Sequence, residues 1–320
     1  MSASDLFEPL LLLRGPAMKN RFMLAPLMNQ QSRSDGGASG HDVEWVARVA
    51  QGGFALVQTC AATVQATGVA FHGQLGVHDD GHLDGLTAMA DAVRGGGALS
   101  AVQLHYAGHR AQRDLGGVPA PASDGNAPGV PALSTAQVEH IRDDFIRAAC
   151  RPDFQIGLRL SVERYGLWLE EVRDAVAEDM LRAEIDCLDL ALWVARQRVR
   201  EGAHEGRAVL GLFAELPRHG VRLGAAGKIM GGERAAELLE EGCDFVLIGR
   251  GAVLRPDFPR RVRHDPACTT PALPVSADYL RGGGISPLHR LHGDGLGWLR
   301  RPRRSRLTGW REAPDRVPTV

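Results

Sequence analysis

Two glycine–cation pairs lie in the last third of the chain, Gly227-Lys228 and Gly249-Arg250. Each pair follows an apolar run typical of a buried strand and precedes a run with helical spacing. Backbone N–H groups beside glycines and at helix N-termini bind anions, and in (β/α) barrels a phosphate site follows the seventh and eighth strands. Lys228 and Arg250 would add charge-assisted hydrogen bonds. The pattern favours a phosphate site. The alternative is that the glycines only form tight turns and that Arg250 pairs with an acidic neighbour.

Two polar residues are embedded in apolar runs, Gln103 in "AVQLHYAGHR" and Arg159 in "IGLRLS". A buried polar group without a partner is costly, so each needs one. Gln103 can donate and accept together, as the edge of a fused heterocycle requires, and Arg159 can hold negative charge that develops on such a ring. Together with a phosphate site, these residues predict a phosphorylated aromatic cofactor. A polar layer that only stabilises the barrel interior is the alternative.

Apolar, strand-like runs alternate with helical runs along most of the chain, which indicates an α/β protein with a parallel sheet covered on both faces. A closed TIM (β/α)8-type barrel needs eight strands, and the sequence supplies seven. One strand is therefore expected to be missing. The predicted strands begin near Phe22, Phe54, Leu99, Phe154, Cys187, Val221 and Phe245.

The motifs of these strands resemble the Old Yellow Enzyme family of NAD(P)H:flavin oxidoreductases, which are FMN-binding (β/α)8 barrels. The opening "LFEPLLL…MKNRFMLAPLM" is followed in the family's order by "GGFALVQTCAATV", "VQLHYAGHRA", "DFQIGLRLS", "AAGKI" and "FVLIGRGAVLRPDFP". The match spans roughly residues 5 to 265. It implies FMN as cofactor and NADH or NADPH as electron donor. Hydride would pass through FMN to an activated alkene or similar electrophile, a small-molecule acceptor.

The resemblance also assigns roles to individual residues. Gln103 would face the pyrimidine edge of the flavin and Arg159 its N1/C2 carbonyl side, while His105 would border the substrate cavity. The FMN-contacting positions implied in this way are Ala25, Pro26, Met28, Ala61, Gln103, Arg159, Gly227, Lys228, Gly249 and Arg250.

One segment of the family is absent. In the family, a fourth strand carries a histidine pair, or histidine and asparagine, that holds the substrate carbonyl oxygen, and a tyrosine proton donor follows. Here only Arg151-Pro152-Asp153 separate a helix from the next strand, so we predict that the fourth βα unit is deleted at the 150/151 junction. His105 and Tyr106, or His109, are the candidate replacement donors.

This deletion leaves other functions open. The chain is alternatively a catalytically impaired flavin-binding or structural remnant. A third hypothesis is a non-flavin barrel enzyme that acts on a sugar phosphate, with Lys228 or Asp189 as its base. A barrel that lacks a strand also exposes two sheet edges, which is consistent with a homo-oligomer.

Composition excludes some partners. The formal net charge is −1 over 320 residues, so neither nucleic acid nor a membrane is expected as a partner. The five cysteines are far apart without a CxxC pair, which argues against a metal site and fits a cytoplasmic protein. We predict a barrel domain over residues 1–265 and an irregular extension over 266–320. The basic run Arg300–Arg306 is expected to be solvated.

Overall fold

The computed structural model describes residues 3–121, 131–149, 154–162, 169–182 and 185–283. Its strands are parallel, and several are buried along their whole length, as expected for continuous apolar runs covered on both faces. The strands are β1 Phe22–Leu24, β2 Leu56–Thr63, β3 Leu75–Gly76, β4 Leu99–His105, β5 Gly157–Leu160, β6 Cys187–Ala191, β7 Arg222–Ala226 and β8 Phe245–Ile248.

The helices begin where capping residues stand in the sequence. Ser39 forms a capping box with Asp42, and Ser134 forms one with Gln137, because in each pair the two side chains accept hydrogen bonds from each other's backbone N–H. The helices are α1 Gly40–Gln51, α2 Leu83–Gly95, α3 Thr135–Ala149, α4 Leu169–Arg182, α5 Val209–Ala214, α6 Gly232–Glu240, α7 Arg250–Leu254, α8 Phe258–His264 and α9 Ala277–Gly282.

The sheet runs in the order β4-β2-β1-β8-β7-β6-β5, which confirms the seven predicted barrel strands. The additional strand β3 is only two residues long and pairs with the C-terminal end of β2. Within the described residues, β4 and β5 each pair on one side only, so the curved sheet is open between them. A fourth barrel strand would lie there, which agrees with the predicted shortened barrel. The junction itself, Cys150 to Asp153, lies outside the described residues.

The inside of the curved sheet has its own apolar cluster, which includes Met23, Ala25 and Phe245. Leu10 and Met18 join this cluster from the N-terminal segment, where they exchange two backbone hydrogen bonds of 3.0 and 2.9 Å. This antiparallel pairing forms a hairpin around Arg14-Gly15-Pro16. The hairpin contacts the residues that lead into β5, β6 and β7, so it closes the N-terminal end of the barrel.

Apolar side chains are exposed on the elements beside the opening. They belong to β4, to α3 and to the residues that lead into β5, and each is at least 40% exposed. An intervening βα unit at the opening would cover side chains in these positions. They are Val102, Val138, Ile146, Phe154 and Ile156.

The start of the C-terminal extension packs on the barrel. Leu280 is 3% exposed, and the Tyr279 hydroxyl donates to the Leu254 carbonyl over 2.7 Å. The sequence analysis missed α9, which begins after Ser276 because that side chain caps the Tyr279 N–H. The domain boundary at 265 stays a prediction, and the basic run Arg300–Arg306 lies outside the described residues. Among the described helices, none is long and apolar enough to cross a membrane.

Candidate functional site

The C-terminal ends of the parallel strands bring most of the predicted site residues to one end of the barrel. β1 leads into Ala25, Pro26 and Met28, and β7 and β8 lead into the two glycine–cation pairs. The hydrogen bond from the Ala25 N–H to the Ile248 carbonyl, 3.1 Å long, joins the ends of β1 and β8. The strand pairing therefore brings the segments after β1, β7 and β8, and the predicted site residues on them, to the same end of the sheet.

Ala61 and Gln103 are direct neighbours in the pairing of β2 with β4. The pairing is irregular between Gln58 and Ala61, where the Gln103 N–H donates to the Thr59 hydroxyl over 3.2 Å. Because side chains alternate along a strand, Gln103 lies on the same face as Ala101, which packs against the inner cluster. The amide of Gln103 thus points towards the barrel interior and is only half-buried.

Lys228 and Arg250 meet at one aromatic ring that the sequence analysis did not single out. The Lys228 Nζ lies 5.5 Å, and the Arg250 guanidinium carbon 5.7 Å, from the ring centroid of Trp193. Trp193 follows β6 and is 48% exposed. Its position after the strand end was the available signal, because residues there face the same opening as those after β7 and β8.

Neither cation has a carboxylate partner within the described parts of the chain. The predicted alternative, in which Arg250 pairs with an acidic neighbour, is therefore not observed there. Partial burial lowers the pKa of Arg250. A cation–π contact at an exposed site is worth about 0.5–1 kcal/mol, whereas a hydrogen bond to a charged group is worth about 1.5–3 kcal/mol. A phosphate would therefore outcompete the indole for these donors.

The two glycines differ in what they do. A Cβ on Gly227 would lie 2.4 Å from the Ala195 nitrogen, so this glycine is required for close backbone packing after β6. A Cβ on Gly249 would lie 3.3 Å from the Leu27 side chain, its nearest neighbour, which is a tight contact with a side chain only. The alternative in which the glycines serve only the backbone conformation therefore accounts for Gly227. It leaves the two uncompensated cations unexplained.

Arg159 forms an ion pair with Asp189, its direct neighbour in the pairing of β5 with β6. Asp189 is buried, and its second carboxylate oxygen has no partner within the described residues. Burial raises the pKa of Asp189, and Arg159 opposes that shift. The pair fixes the guanidinium on the inner face of the sheet. Because the ion pair engages the Asp189 carboxylate, Asp189 is less suited to act as the base of a sugar-phosphate enzyme.

His105 is held by Gln74. The Ala70 N–H donates to the Gln74 carbonyl oxygen over 2.7 Å, which turns the Gln74 amide nitrogen towards His105 Nδ1 at 3.2 Å. Nδ1 is therefore the acceptor, and Nε2 carries the proton. Burial, with a smaller contribution from Arg110, lowers the pKa of His105. The side chain is a neutral hydrogen-bond donor at neutral pH.

Tyr106 occupies a different environment from His105. Strand alternation places the two side chains on opposite faces of the chain. The Tyr106 ring packs directly against Gly68, where a Cβ would come within 2.3 Å of the ring. His109 lies in the following turn and is exposed. The structure thus brings His105, and not Tyr106, to the face that carries Gln103.

Known proteins resemble the chain in sequence and in fold. The model of the NADH:flavin oxidoreductase / NADH oxidase family matches residues 5–154. A probable NADH-dependent flavin oxidoreductase of Bacillus subtilis is 25% identical over 81% of this chain and 87% of its own. An NADPH dehydrogenase of Bacillus pumilus is 26% identical over 80% of this chain and 94% of its own.

A solved structure, the old yellow enzyme homologue from Zymomonas mobilis, has a TM-score of 0.67 at 16% identity. That likeness covers 86% of this chain and 96% of the other. It supports the fold, and the sequence matches support the family. The sequence comparisons thus relate the chain to the NADH:flavin oxidoreductase / NADH oxidase family, and the structural comparison relates its fold to barrels of the Old Yellow Enzyme type.

Proposed function

We propose that this chain binds FMN at the C-terminal end of its barrel and passes hydride from NADH or NADPH to an activated alkene or similar electrophile. The observation that carries this proposal is the pair of cations, Lys228 and Arg250, which flank Trp193 without a carboxylate partner among the described residues. Two uncompensated positive charges suit the phosphate of FMN. When bound, FMN supplies the hydride chemistry, and the protein supplies position and electrostatics.

The phosphate end of the site is formed by the segments after β7 and β8. Lys228 and Arg250 would donate to the phosphate oxygens, together with backbone N–H groups at Gly227 and Gly249. Lys228 adopts a φ of +52°, in the left-handed region that few residues other than glycine occupy. That turn and the contact with Trp193 hold its ammonium beside the guanidinium of Arg250.

The ring end of the site is formed by four other strands. Met28 is 60% exposed after β1, and a large apolar side chain exposed at this position is suited to pack on an aromatic ring. Gln103 can donate to and accept from the edge of the ring, and Arg159 can neutralise its N1 side. Ala25, Pro26 and Ala61 would complete the apolar contacts.

His105 is the residue best suited to hold the electron acceptor. Its Nε2 carries a proton that Gln74 leaves unused, and its side chain shares a strand face with Gln103. A neutral donor placed where negative charge develops on a substrate oxygen would replace part of what the absent fourth strand provides in the family. Tyr106 is less suited because its ring packs against Gly68.

Anaerobic oxidation of NADH and of NADPH tests this proposal, with 2-cyclohexenone as the acceptor and added FMN. We expect acceptor-dependent consumption of one of the two nucleotides, and a loss of activity on the order of a hundredfold in His105→Gln. His109→Gln is the matched control, because His109 is an exposed neighbour. FMN binding without any turnover would instead support the alternative of a catalytically impaired remnant.

We further infer a cytoplasmic location and a homo-oligomer. The described cysteines Cys60, Cys187, Cys243 and Cys268 are free, which supports a reducing compartment. The exposed apolar side chains beside the opening of the sheet support self-association.

A further inference from the structure

A cavity lies at the opposite end of the barrel from the proposed FMN site. Its volume is about 250 Å³, and it is lined by segments that precede β1 and β2 and by one face of α8. Because these segments enter the strands at their N-terminal ends, the cavity is separated from Lys228 and Arg250 by the length of the sheet. Its lining includes Phe7, Lys19, Asn20, Gly53, Arg260 and Arg263.

Three of the lining residues are cations, and no carboxylate is found among the described residues that line the cavity. Arg260 and Arg263 are three positions apart on α8, so they lie on the same helix face. Lys19 approaches from the segment before β1. Within the described chain none of the three forms an ion pair, although Arg261 on the same helix pairs with Asp257 at 2.9 Å.

The three cations retain most of their hydrogen-bond donors. The Lys19 ammonium donates to the Gly97 carbonyl at 2.7 Å, and one Arg260 nitrogen donates to the Gln51 carbonyl at 2.6 Å. The Arg263 guanidinium stacks on Phe7, with 4.3 Å between its carbon and the ring centroid. Stacking leaves the in-plane N–H groups of a guanidinium free. The cavity is therefore rich in donors that other protein groups do not use.

Lys19, Arg260 and Arg263 bring three exposed positive charges to one cavity without a counter-charge among the described lining residues. Partial burial lowers the pKa of Lys19, and no neighbouring carboxylate offsets this effect, although the side chain remains open to solvent. Three like charges around one cavity also repel each other. An anion bound among them would offset this repulsion.

We propose that this cavity binds a small anion that carries a phosphate or diphosphate group. Guanidinium groups present a planar fork of donors that matches phosphate oxygens, and an ammonium adds a point charge. The cavity is several times larger than the roughly 30 Å³ that one water occupies in the liquid, so it has room for more than a single water. The inference does not depend on FMN binding, because it uses none of the residues of that site.

Calorimetric titration with pyrophosphate tests the proposal on the full chain that carries Lys228→Gln and Arg250→Gln, which removes the other phosphate-binding cations. Ionic strength is matched throughout with sodium chloride. We expect one saturable site per chain, and an affinity at least about tenfold weaker when Arg263→Gln is added, because a charge-assisted contact is lost. Arg261→Gln is the matched control and should bind as the parent does, because Arg261 is engaged by Asp257.

Three outcomes overturn the proposal. The first is that pyrophosphate binds equally well with and without Arg263→Gln. The second is that binding does not saturate at matched ionic strength. The third is that the wild type binds pyrophosphate whereas the Lys228→Gln, Arg250→Gln parent does not, which would place the binding at the FMN site. Circular dichroism establishes that each variant folds. If Arg263→Gln does not fold, Arg260→Gln keeps the stacking on Phe7 and is subject to the same comparison.

Discussion

At the scale of single residues, Asp189 controls how much positive charge Arg159 presents to the barrel interior. The two side chains are paired across neighbouring strands, and the carboxylate is buried with one oxygen unbonded within the described residues. In the proposed function, Arg159 neutralises the N1 side of the flavin. A partner that cancels part of its charge therefore tunes how readily bound FMN accepts electrons.

Substitution of Asp189 by Asn should raise the reduction potential of bound FMN. The change leaves the Arg159 charge uncompensated, which favours the reduced and more negative cofactor. A shift on the order of 30 mV corresponds to a tenfold change in a two-electron equilibrium. Dye-linked titration of the FMN absorbance measures it. Asp244→Asn is the control, because Asp244 pairs with Arg218 and Arg222 at the other end of the strands. An unchanged potential in Asp189→Asn would contradict this role.

Burial of His105 should make the free energy of unfolding depend on pH. Its pKa is lowered in the folded protein, below the ordinary value of 6.5, because burial disfavours the imidazolium. A lowered pKa contributes stability that is present above the unfolded pKa and is lost as pH falls through the folded pKa. The thermal midpoint of the wild type should therefore fall more than that of His105→Gln between about pH 7 and about pH 5. Identical slopes for the two proteins, measured by differential scanning fluorimetry, would show that His105 is not desolvated.

At the scale of elements, the two open edges are the feature that distinguishes this barrel. Gln103 lies on β4 and Arg159 on β5, so the two predicted polar contacts to the flavin ring come from the two edge strands. Edge strands expose unpaired backbone groups that attract other strands. The geometry of the ring site therefore depends on how the chain covers these edges.

Substitution of Val102 by Lys should weaken self-association. Val102 is 44% exposed on β4, and a lysine on an edge strand opposes pairing with another chain. Light scattering over a range of protein concentrations should show a smaller fraction of dimer or larger species than in the wild type. Leu83→Lys is the matched control, since Leu83 is 57% exposed at the start of α2. A wild type that is monomeric at every concentration would count against edge-mediated association.

At the scale of the whole molecule, the alternation of apolar runs and helices predicted the seven barrel strands and the place of the opening. The starts of β2 and β5 are displaced, because Phe54 and Phe154 are apolar residues that precede the first paired positions Leu56 and Gly157. Strand β3 could not be predicted, since Leu75 and Gly76 are too few residues to show a period.

The candidate site was predictable where strand ends carry unusual residues or where a polar residue stands inside an apolar run. The pairs Gly227-Lys228 and Gly249-Arg250 were predictable because each follows directly after an apolar run. The contact of Trp193 with both cations and the Arg159–Asp189 pair depend on which strands become neighbours and in what register, and that follows from the tertiary fold. The hydrogen bond that sets the tautomer of His105 comes from Gln74, a residue 31 positions away with no sequence signal of its own.

The amount of FMN held by the purified chain tests the central claim most directly. After reconstitution with excess FMN and gel filtration, the visible spectrum and the released chromophore give the molar ratio of FMN to protein. We predict a ratio near one for the wild type and for Arg196→Gln, whose arginine pairs with Glu237. The Lys228→Gln, Arg250→Gln double variant should lose most of its FMN. A folded wild type that retains no FMN, or a double variant that binds as much as the wild type, would contradict the account.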